Sequence, residues 1–470
     1  MVRWILGLRV LLCFSSTNLI SNVDTSVVDE ECPTMAAACV GNYYTELPLA
    51  RRYPVEVGHI TKLSLENEQI REMKTLSIKP PIFEIRNYMS PEECDDIIRL
   101  AKEQGLQTSE TMDEDMFEDE QNFQEADGDV FEYYDYNKDN FLDVDEVTNL
   151  LDTELDFSPD MEDVVDMLER LDLDKNGDLK LSEDEFEKKD VGRIIRFVSL
   201  TKRKKPYTKS RHSEQTWLDT DRNSEKTLQS LRKRLWKLTK LPLMLLNASE
   251  SLQVVSYGPR GHYNCHVDSD DIDPKTRCCH LDDYGSPDCR ICRYLTVLYF
   301  LNDVEEGGET AFPIADNETY DEDVWQKDVK RMCNVGRNCH KSNLRVKPEK
   351  GKAILWYSHG IDDATGWLGD SDPYSVHGGC DVKKGRKWIA NNWISVSESR
   401  IDDVQFWLRK MQNAENAETK SNDGKNSVFD EVFQDVESVN TKKEEEINGI
   451  FDSLEHSDVE STIETPRQEL

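Results

Sequence analysis

His266 and Asp268 are the residues of this sequence whose types and spacing most directly indicate chemistry. They occupy positions i and i+2 of YNCHVDS, so on an extended strand both side chains face the same way. A third candidate ligand, His377, lies in YSVHGGC, and Lys387 follows it ten residues later. Two histidines and one carboxylate form the facial triad that binds Fe(II) and leaves coordination positions open. The sequence therefore predicts an iron site at His266, Asp268 and His377, with Lys387 binding the carboxylate of a co-substrate.

Two acidic segments match the twelve-residue calcium loop of EF-hand proteins. The first runs from Asp135 to Glu146 and the second is predicted from Asp172 to Glu183, so their starts are 37 residues apart. Calcium takes about six to eight oxygen ligands, which alternating carboxylates and amides supply from one tight loop. The predicted ligands are Asp135, Asn137, Asp139, Phe141 and Glu146 in the first loop, and Asp172, Asp174, Asn176, Asp178 and Glu183 in the second.

The residue at the sixth loop position bears on the strength of calcium binding. In these registers the second loop has Gly177 there and the first has Asn140. Asparagine tolerates the left-handed backbone of this turn less readily than glycine does. The first loop is therefore expected to bind calcium more weakly. The alternative, a merely acidic helical surface, is disfavoured because two loops occur in register.

Short hydrophobic runs separated by turn residues surround the predicted iron ligands. From residue 251 these runs are SLQVVSYG, YLTVLYFLN, KAILWYS and KWIANNWISV, which are typical of strands in a barrel or jelly roll. Earlier, PPIFEIRNYM predicts a strand, and Ser90 with Glu93 predicts a capping box that opens a helix. The predicted fold class is α+β: a double-stranded β-helix (jelly-roll) core with flanking helices and an inserted all-α EF-hand pair.

The acidic charge is concentrated in two segments. The whole chain of 470 residues has a formal net charge of −36, of which residues 111–190 carry −25 and residues 411–470 carry −11. This net charge argues against a nucleic-acid partner held by phosphate contacts. The predicted domains are a signal peptide or weak signal anchor (1–22), an N-terminal lumenal segment (23–80), the start of the catalytic domain (81–110), the EF-hand insertion (111–200), the catalytic domain (201–400) and an acidic, largely disordered tail (401–470).

Several features predict the lumen of the endoplasmic reticulum. The N-terminal apolar run is short and contains Arg9, which favours a signal peptide over a membrane span of about 20 residues. Asn247 and Asn317 lie in glycosylation sequons, and the chain ends in RQEL, which is similar to a retrieval signal. Whether the N-terminus is cleaved or anchors the chain in the membrane stays open.

Twelve cysteines occur in clusters, which suits an oxidising compartment. Cys278, Cys279, Cys289 and Cys292, with His280, also fit the ligand types of a zinc site. Disulfides that fix a loop are the favoured interpretation in this compartment, although their pairing cannot be deduced from spacing.

Taken together, these motifs resemble the transmembrane prolyl 4-hydroxylase family of the endoplasmic reticulum, within the 2-oxoglutarate and Fe(II) dioxygenases. The segments that carry the resemblance are QVVSYGPRGHYNCHVDS, RYLTVLYFLNDVEEGGETAFPIADNETYDE, NLRVKPEKGKAILWY, DPYSVHGGCDVKKGRKWIANNWISV and the EF-hand pair inserted after FEIRNYMSPEECDDII. The resemblance extends from about residue 57 to the C-terminus.

This resemblance implies roles for individual residues. His266, Asp268 and His377 are the expected iron ligands, and Lys387 is the expected partner of the distal carboxylate of 2-oxoglutarate. Arg386 is the alternative basic residue, but adjacent strand residues face opposite ways, so only one of the two enters the pocket. Tyr257 is expected to contact the same carboxylate, and Thr296 and Trp393 are further pocket candidates.

The implied reaction is hydroxylation of a peptidyl proline with O₂, 2-oxoglutarate, Fe(II) and ascorbate, on a hypoxia-factor-like or collagen-like substrate. The alternative is a calcium-dependent lumenal binding protein with a catalytically silent dioxygenase fold. An intact triad together with Lys387 argues against that alternative. Calcium regulation and formation of a homodimer are left open by the sequence.

Overall fold

A computed structural model describes residues 49–66, 69–109, 129–187, 189–220, 224–270, 275–280, 286, 288–321 and 333–421. The predicted signal segment, Cys32 and Cys39, the start of the EF-hand insertion and most of the acidic tail with its RQEL end lie outside these residues. Within the described ranges, no helix is both long enough and apolar enough to span a bilayer.

The strands, in chain order, are β1 (Ile60–Glu66), β2 (Gln69–Ser77), β3 (Ile82–Ile85), β4 (Gln107–Thr108), β5 (Phe141–Leu142), β6 (Leu181–Ser182), β7 (Arg211–His212), β8 (Glu214–Leu218), β9 (Leu252–Tyr257), β10 (His262–His266), β11 (Arg277–Cys278), β12 (Cys289–Arg290), β13 (Arg293–Phe300), β14 (Glu306–Gly307), β15 (Thr310–Phe312), β16 (Leu344–Val346), β17 (Ala353–Tyr357), β18 (His359–Ile361), β19 (Leu368–Ser371), β20 (His377–Gly379), β21 (Val382–Lys384) and β22 (Lys387–Ser395). The helices are α1 (Pro91–Gln104), α2 (Asp129–Tyr134), α3 (Val144–Glu154), α4 (Met161–Leu171), α5 (Glu183–Glu187), α6 (Val191–Lys204), α7 (Lys226–Thr239), α8 (Leu243–Asn247), α9 (Val335–Asn338) and α10 (Arg400–Ser421).

Two sheets form the core of the predicted catalytic domain. The larger has the order β1-β2-β3-β17-β13-β22-β9-β8-β4, and the smaller has the order β16-β15-β20-β10-β7. The four hydrophobic runs found in the sequence are β9, β13, β17 and β22, which are neighbours at the centre of the larger sheet. They are nearly continuously buried because both faces of this sheet are covered.

Alternating side chains of the central strands contribute to two different apolar clusters. Leu298 and Ile389 face inward, towards Phe312 and Val346 of the smaller sheet. Their neighbours Val297 and Ala390 face outward and pack with residues of α1 and α7. Polar inward positions on these strands therefore point into the space between the sheets, where the predicted iron site lies.

The predicted capping box at the start of α1 is present. The Ser90 hydroxyl accepts from the Glu93 backbone N–H at 3.2 Å, and the Glu93 carboxylate accepts from the Ser90 N–H at 2.8 Å. Pro91 occupies the first helical turn, where its missing N–H costs nothing. The sequence signals alone therefore fix where this helix begins.

The EF-hand pair has its own apolar core. Residues from α2, α3, α4 and α5 form it, and α6 adds Ile194, Ile195 and Val198 at helical spacing. The other side of α6 is basic, with Lys202, Arg203 and Lys204 in its last turn. The helix that leaves the insertion is thus packed into the module that precedes it.

The second calcium loop lies two residues later than the sequence predicted. β5 and β6 pair so that Leu142 stands opposite Leu181. In the first loop, which starts at Asp135, Leu142 occupies the eighth position. If Leu181 is the eighth residue of the second loop, that loop runs from Asp174 to Glu185. The two loops then start 39 residues apart rather than 37.

The hydrogen bonds repeat with this same offset. Glu146 accepts backbone N–H groups of Tyr136 and Asp143, each at 2.9 Å. Glu185 accepts the N–H groups of Lys175 and Ser182, each at 2.9 Å. The left-handed residues repeat as well: Lys138 and Asn140 in the first loop correspond to Gly177 and Leu179 in the second, with φ of 56°, 64°, 75° and 61°.

Asp172 and Glu183 were therefore wrong as the first and last residues of the second loop. Asp172 ends α4 in a left-handed conformation, and Glu183 is the first residue of α5. The error arose because DLDKNGDL places aspartates at alternate positions, so two registers two residues apart both fit the pattern. The expectation that Gly177 favours the second loop loses its basis, since Leu179 occupies the sixth position.

Four disulfides are present among the described residues. They pair Cys265 with Cys333, Cys278 with Cys292, Cys279 with Cys289, and Cys339 with Cys380. The disulfide interpretation of the Cys278–Cys292 cluster is thus confirmed over the zinc alternative. Two of the bridges hold the loop around residues 333–339 against the strands that carry the candidate iron ligands.

Candidate active site

The structure brings the three predicted iron ligands together. One ligand atom from each of His266, Asp268 and His377 lies within 4.8 Å of the others. Nε2 of His266 is 3.8 Å from Oδ1 of Asp268, and Nε2 of His377 is 3.6 Å from Oδ2 of Asp268. Both histidines belong to the smaller sheet, in β10 and β20, where they are paired across the strands.

Hydrogen bonds to the backbone orient both imidazole rings. Nδ1 of His266 lies 3.0 Å from the carbonyl oxygen of Asn264, and Nδ1 of His377 lies 2.9 Å from that of Ser375. A carbonyl oxygen only accepts, so each Nδ1 carries the proton and each Nε2 lone pair is free to bind a metal. The two rings therefore present Nε2 to the same point as the Asp268 carboxylate.

Asp268 lies beyond the end of β10 rather than on the same strand face as His266. Its Oδ2 accepts a hydrogen bond of 2.6 Å from the hydroxyl of Thr296 in β13 of the larger sheet. The carboxylate is thus positioned by a side chain from the opposite sheet. Thr296, predicted as a pocket residue, contacts the carboxylate ligand directly.

The charge states of these groups suit a divalent metal. Burial lowers the pKa of His266 to about 3, so its ring is neutral at physiological pH. Burial by itself raises the pKa of Asp268, but His377, His266, Arg293 and the Thr296 hydroxyl together lower it, so the net shift is downward. Two imidazoles and one carboxylate match the donor set that Fe(II) takes in facial triads.

Lys387 lies deep between the sheets and is 1 % exposed. Its Nζ is 5.3 Å from the ring centre of Tyr257 and 5.9 Å from that of Phe300. Tyr257 stands directly opposite Lys387 across β9 and β22, so the two predicted contacts to a carboxylate adjoin. Burial lowers the pKa of Lys387 to about 7, and the charge of Glu309 opposes this shift.

Arg386 points away from this pocket. Its Nη1 donates to the Ser256 hydroxyl at 2.6 Å and to Glu214 at 3.2 Å, and the side chain is 47 % exposed. Strand alternation therefore places Lys387 inside and Arg386 outside, as expected.

Trp393 lies beside the iron ligands rather than beside Lys387. It stands opposite Thr296 across β13 and β22. The guanidinium of Arg293 covers its ring at 3.8 Å, and Trp217 lies 5.9 Å away. Because Thr296 is its cross-strand neighbour, Trp393 lies nearer to Asp268 than to the deep pocket that would hold a co-substrate carboxylate.

Tyr263 is a site residue that the sequence analysis missed. Its ring stacks on His266 with a centroid distance of 3.7 Å and an interplanar angle of 21°. The two residues are three positions apart, so regular alternation would place their side chains on opposite faces. A register shift between Tyr263 and His266, opposite Gly379 and His377, adds one residue and brings the rings together. No local pattern in the sequence announces this bulge.

Arginines line the neighbourhood of the bulge and were also missed. The Arg211 guanidinium lies 4.5 Å from the Tyr263 ring centre. Arg293 forms two hydrogen bonds of 2.7 Å with Glu250, which hold it over Trp393. These arginines come from β7 in the smaller sheet and from the start of β13 in the larger sheet, and only the assembled sheets bring both near the candidate site.

The two predicted glycosylation asparagines lie outside the core. Asn247 is exposed at the end of α8. Oδ1 of Asn317 accepts from the N–H and the hydroxyl of Thr319, at 3.0 and 2.9 Å. Modification of either residue remains a prediction.

Family models match the two modules separately, and a known protein matches both in one alignment. The 2OG-Fe(II) oxygenase superfamily model matches residues 252–395, and the EF-hand domain pair model matches residues 124–189. Transmembrane prolyl 4-hydroxylase of Homo sapiens is 39% identical over 367 residues, covering 76% of this chain and 72% of the human protein.

Other similar proteins match shorter stretches or only coarsely. Probable prolyl 4-hydroxylase 10 of Arabidopsis thaliana is 35% identical over 180 residues, covering 38% of this chain and 53% of the plant protein. The viral collagen prolyl hydroxylase of Paramecium Bursaria Chlorella virus-1, solved with 2-oxoglutarate, is 18% identical with a TM-score of 0.30, covering 66% of this chain and 94% of that one. The match to the human protein is long enough to span both the catalytic core and the EF-hand insertion.

Proposed function

Because this chain belongs to the transmembrane prolyl 4-hydroxylase family of 2-oxoglutarate and Fe(II) oxygenases, we propose that His266, Asp268, His377 and Lys387 are the residues with which it hydroxylates peptidyl proline. The observation that carries the assignment is the convergence of the three ligand atoms within 4.8 Å beside the buried Lys387. Fe(II), 2-oxoglutarate and ascorbate are the cofactors of this chemistry, and the EF-hand pair binds calcium.

Some groups of the protein would bind Fe(II), and others orient the side chains that bind it. His266, Asp268 and His377 would hold Fe(II), which together with 2-oxoglutarate and O₂ supplies the oxidising chemistry that converts proline to 4-hydroxyproline with release of succinate and CO₂. Thr296 keeps the Asp268 carboxylate turned towards the two imidazoles. Each Nδ1–H stays bonded to a backbone carbonyl, so neither histidine ring can turn its protonated nitrogen towards the metal.

Lys387 and Tyr257 are proposed to bind the distal carboxylate of 2-oxoglutarate. A carboxylate in this buried pocket needs a positively charged partner. Burial lowers the pKa of Lys387, and an anion that enters the pocket would favour its charged ammonium form. The arrangement of the two sheets about an inner apolar cluster supports the double-stranded β-helix as the form of the core.

The calcium ligands are proposed in the corrected register. Asp135, Asn137, Asp139, the Phe141 carbonyl and Glu146 would form the first site. Asp174, Asn176, Asp178, the Lys180 carbonyl and Glu185 would form the second, since these residues occupy the equivalent positions. The lumen of the endoplasmic reticulum is the proposed location. Membrane anchorage, a homodimer and the predicted domain boundaries remain proposals of the sequence.

The experiment measures succinate release from 2-oxoglutarate with Fe(II) and ascorbate, in the presence of a panel of proline-containing peptides. The panel includes collagen-like repeats and hypoxia-factor-like sequences. The expected result is peptide-dependent succinate release together with the mass gain of one oxygen atom on a proline. Co-substrate binding without turnover on any peptide would favour the silent binding protein instead.

A further inference from the structure

Ser158 contacts the catalytic core through two different groups. It lies between α3 and α4, the helices that join the two calcium loops. Its backbone N–H donates to the carbonyl oxygen of Thr208 at 2.7 Å. Its hydroxyl oxygen lies 3.1 Å from Nδ2 of Asn334, which also donates to Oδ2 of Asp152 at 3.1 Å. The linker of the EF-hand pair is therefore attached to the core at two places.

The first attachment leads to one edge of β10. Phe157 forms a bridge with Lys209, directly after Thr208. The carbonyl oxygen of Lys209 lies 2.9 Å from Nε2 of His262, and that of Ser210 accepts the N–H of Asn264 at 2.8 Å. β7 then continues this contact by pairing with β10. Residues 157–158 are thus connected, through residues 208–212, to the strand that ends in His266.

The second attachment leads to the same strand and to its neighbour β20. Asn334 follows Cys333, which is bonded to Cys265, the residue before His266. The N–H of Cys265 also donates to the carbonyl of Cys333 at 2.9 Å. On the other side of Asn334, Val335 is fully buried and packs so tightly on Gly378 that a Cβ there would lie 2.8 Å from its Cγ2. Gly378 adjoins His377.

Asn334 is suited to act as a rigid connector. It is 5 % exposed, and its Oδ1 accepts the N–H of Arg337 at 3.1 Å, which caps α9. With Oδ1 used in this way, Nδ2 is directed at Asp152 and Ser158. Both polar atoms of the amide are therefore hydrogen-bonded, Oδ1 to the core and Nδ2 to the EF-hand module. Replacing the side chain removes the linker contact without touching a metal ligand.

We propose that Asn334 is a positioning residue that couples the calcium loops to the iron site through the Cys265–Cys333 disulfide. Calcium fixes the relative orientation of the helices that flank each loop, and Asp152 and Ser158 sit where two of those helices are joined. A shift there moves Asn334 and, through the disulfide, the backbone next to His266. Calcium then favours the arrangement in which His266 and His377 are oriented to bind Fe(II). The inference rests on the proposed iron site but not on peptide hydroxylation.

The coupling is tested by reciprocal binding, because a true coupling changes both affinities by the same factor. The full chain is titrated with 2-oxoglutarate under anaerobic conditions in the presence of stoichiometric Fe(II), with and without saturating Ca²⁺. The Ca²⁺ titration is then repeated with and without Fe(II) and 2-oxoglutarate. We expect each partner to tighten the other by about tenfold. The double variant Glu146→Gln/Glu185→Gln, which is expected not to bind calcium, serves as the calcium-free reference, so no chelator is needed.

Asn334→Ala is the test variant and Asn343→Ala is its matched control. Asn343 donates from Nδ2 to the Ala315 carbonyl at 3.0 Å and belongs to a turn outside the attachments described above. In Asn334→Ala both sites are expected to bind their ligands with nearly unchanged intrinsic affinity, while the coupling falls below twofold. Asn343→Ala is expected to keep the full coupling.

Ser158→Ala keeps the N–H contact to Thr208 and removes only the hydroxyl, so it serves if Asn334→Ala does not fold. Its coupling should fall to a value between those of the wild type and the test variant. The proposal is overturned if the wild type shows no reciprocal effect, if Asn334→Ala or Ser158→Ala keeps the wild-type factor, or if Asn343→Ala loses it as well. Failure of the proposed hydroxylation would leave these binding measurements unaffected and is recognised by absent peptide turnover.

Discussion

The iron site and the calcium loops are built in opposite ways. Each calcium loop is a contiguous run of twelve residues, and its carboxylates are held by backbone N–H groups of that same run. The candidate iron site collects His266, Asp268 and His377 from two strands and a bend, and Thr296 from the other sheet donates to its carboxylate. A local site can be located from the sequence even when its first residue is misassigned by two positions. An assembled site forms only if every strand around it pairs correctly.

The first prediction tests the assembled site. His266→Ala, Asp268→Ala and His377→Ala should each abolish 2-oxoglutarate turnover, because each removes one of three protein ligands. The melting temperature should stay near that of the wild type, since the sheets do not depend on these side chains. Turnover is measured as succinate release beside a melting curve. Near-normal activity of the His377 variant would refute the triad.

The second prediction tests the local site and its register. Glu185→Gln should remove the second of two sites from an isothermal Ca²⁺ titration, because Glu185 occupies the closing position that Glu146 holds in the first loop. Glu183→Gln, at the exposed start of α5, should leave two sites. The reverse pattern would restore the register from Asp172 to Glu183.

Lys387→Ala should raise the apparent KM for 2-oxoglutarate strongly. A hydrogen bond to a charged group contributes about 1.5–3 kcal/mol, which corresponds to roughly 10–150-fold in KM. Arg386→Ala is the matched control, since that side chain is bonded to Ser256 and Glu214 outside the pocket. A larger effect at Arg386 would mean that the strand is turned the other way.

Thr296→Val should weaken iron binding or activity by about 10–100-fold, the usual effect of removing a group that orients a metal ligand. The change keeps the shape of the side chain and deletes only the hydroxyl that donates to Asp268. Thr239→Val, at a buried threonine in α7 remote from the site, is the control for a general effect on stability. Iron content after dialysis measures the outcome, and equal loss in both variants would contradict the orienting role.

The smallest predicted effect concerns pH. The lowered pKa of Lys387, about 7 without ligand, means that its ammonium form is mostly present at pH 6 and mostly absent at pH 8. Only the charged form binds the carboxylate, so binding above pH 7 takes up a proton, and affinity for 2-oxoglutarate should fall about fivefold from pH 7 to pH 8. Binding is measured by calorimetry in buffers of different ionisation enthalpy. A pH-independent affinity over this range would contradict the lowered pKa.

The fold could be predicted from the sequence where local physics decides. The Ser90 capping box and the hydrophobic runs that became β9, β13, β17 and β22 were found because their signals lie within a few residues of one another. The candidate ligands were found because residue type restricts them and the family pattern orders them. The predicted position of the second calcium loop was wrong by two residues, because a repeating aspartate pattern fits the loop in more than one register.

The sequence by itself determined which residues are the candidates for chemistry in this protein: the histidines, Asp268, Lys387 and the acidic loops. Tertiary structure alone decided the stacking of Tyr263 on His266, because a single bulged residue reverses the face of a strand without leaving a local trace. It also decided that Thr296 supports Asp268 and that Asn334 meets Ser158. Those contacts join residues 28 and 176 positions apart, and separations of that kind are set by how whole sheets and helices pack rather than by any neighbouring residue.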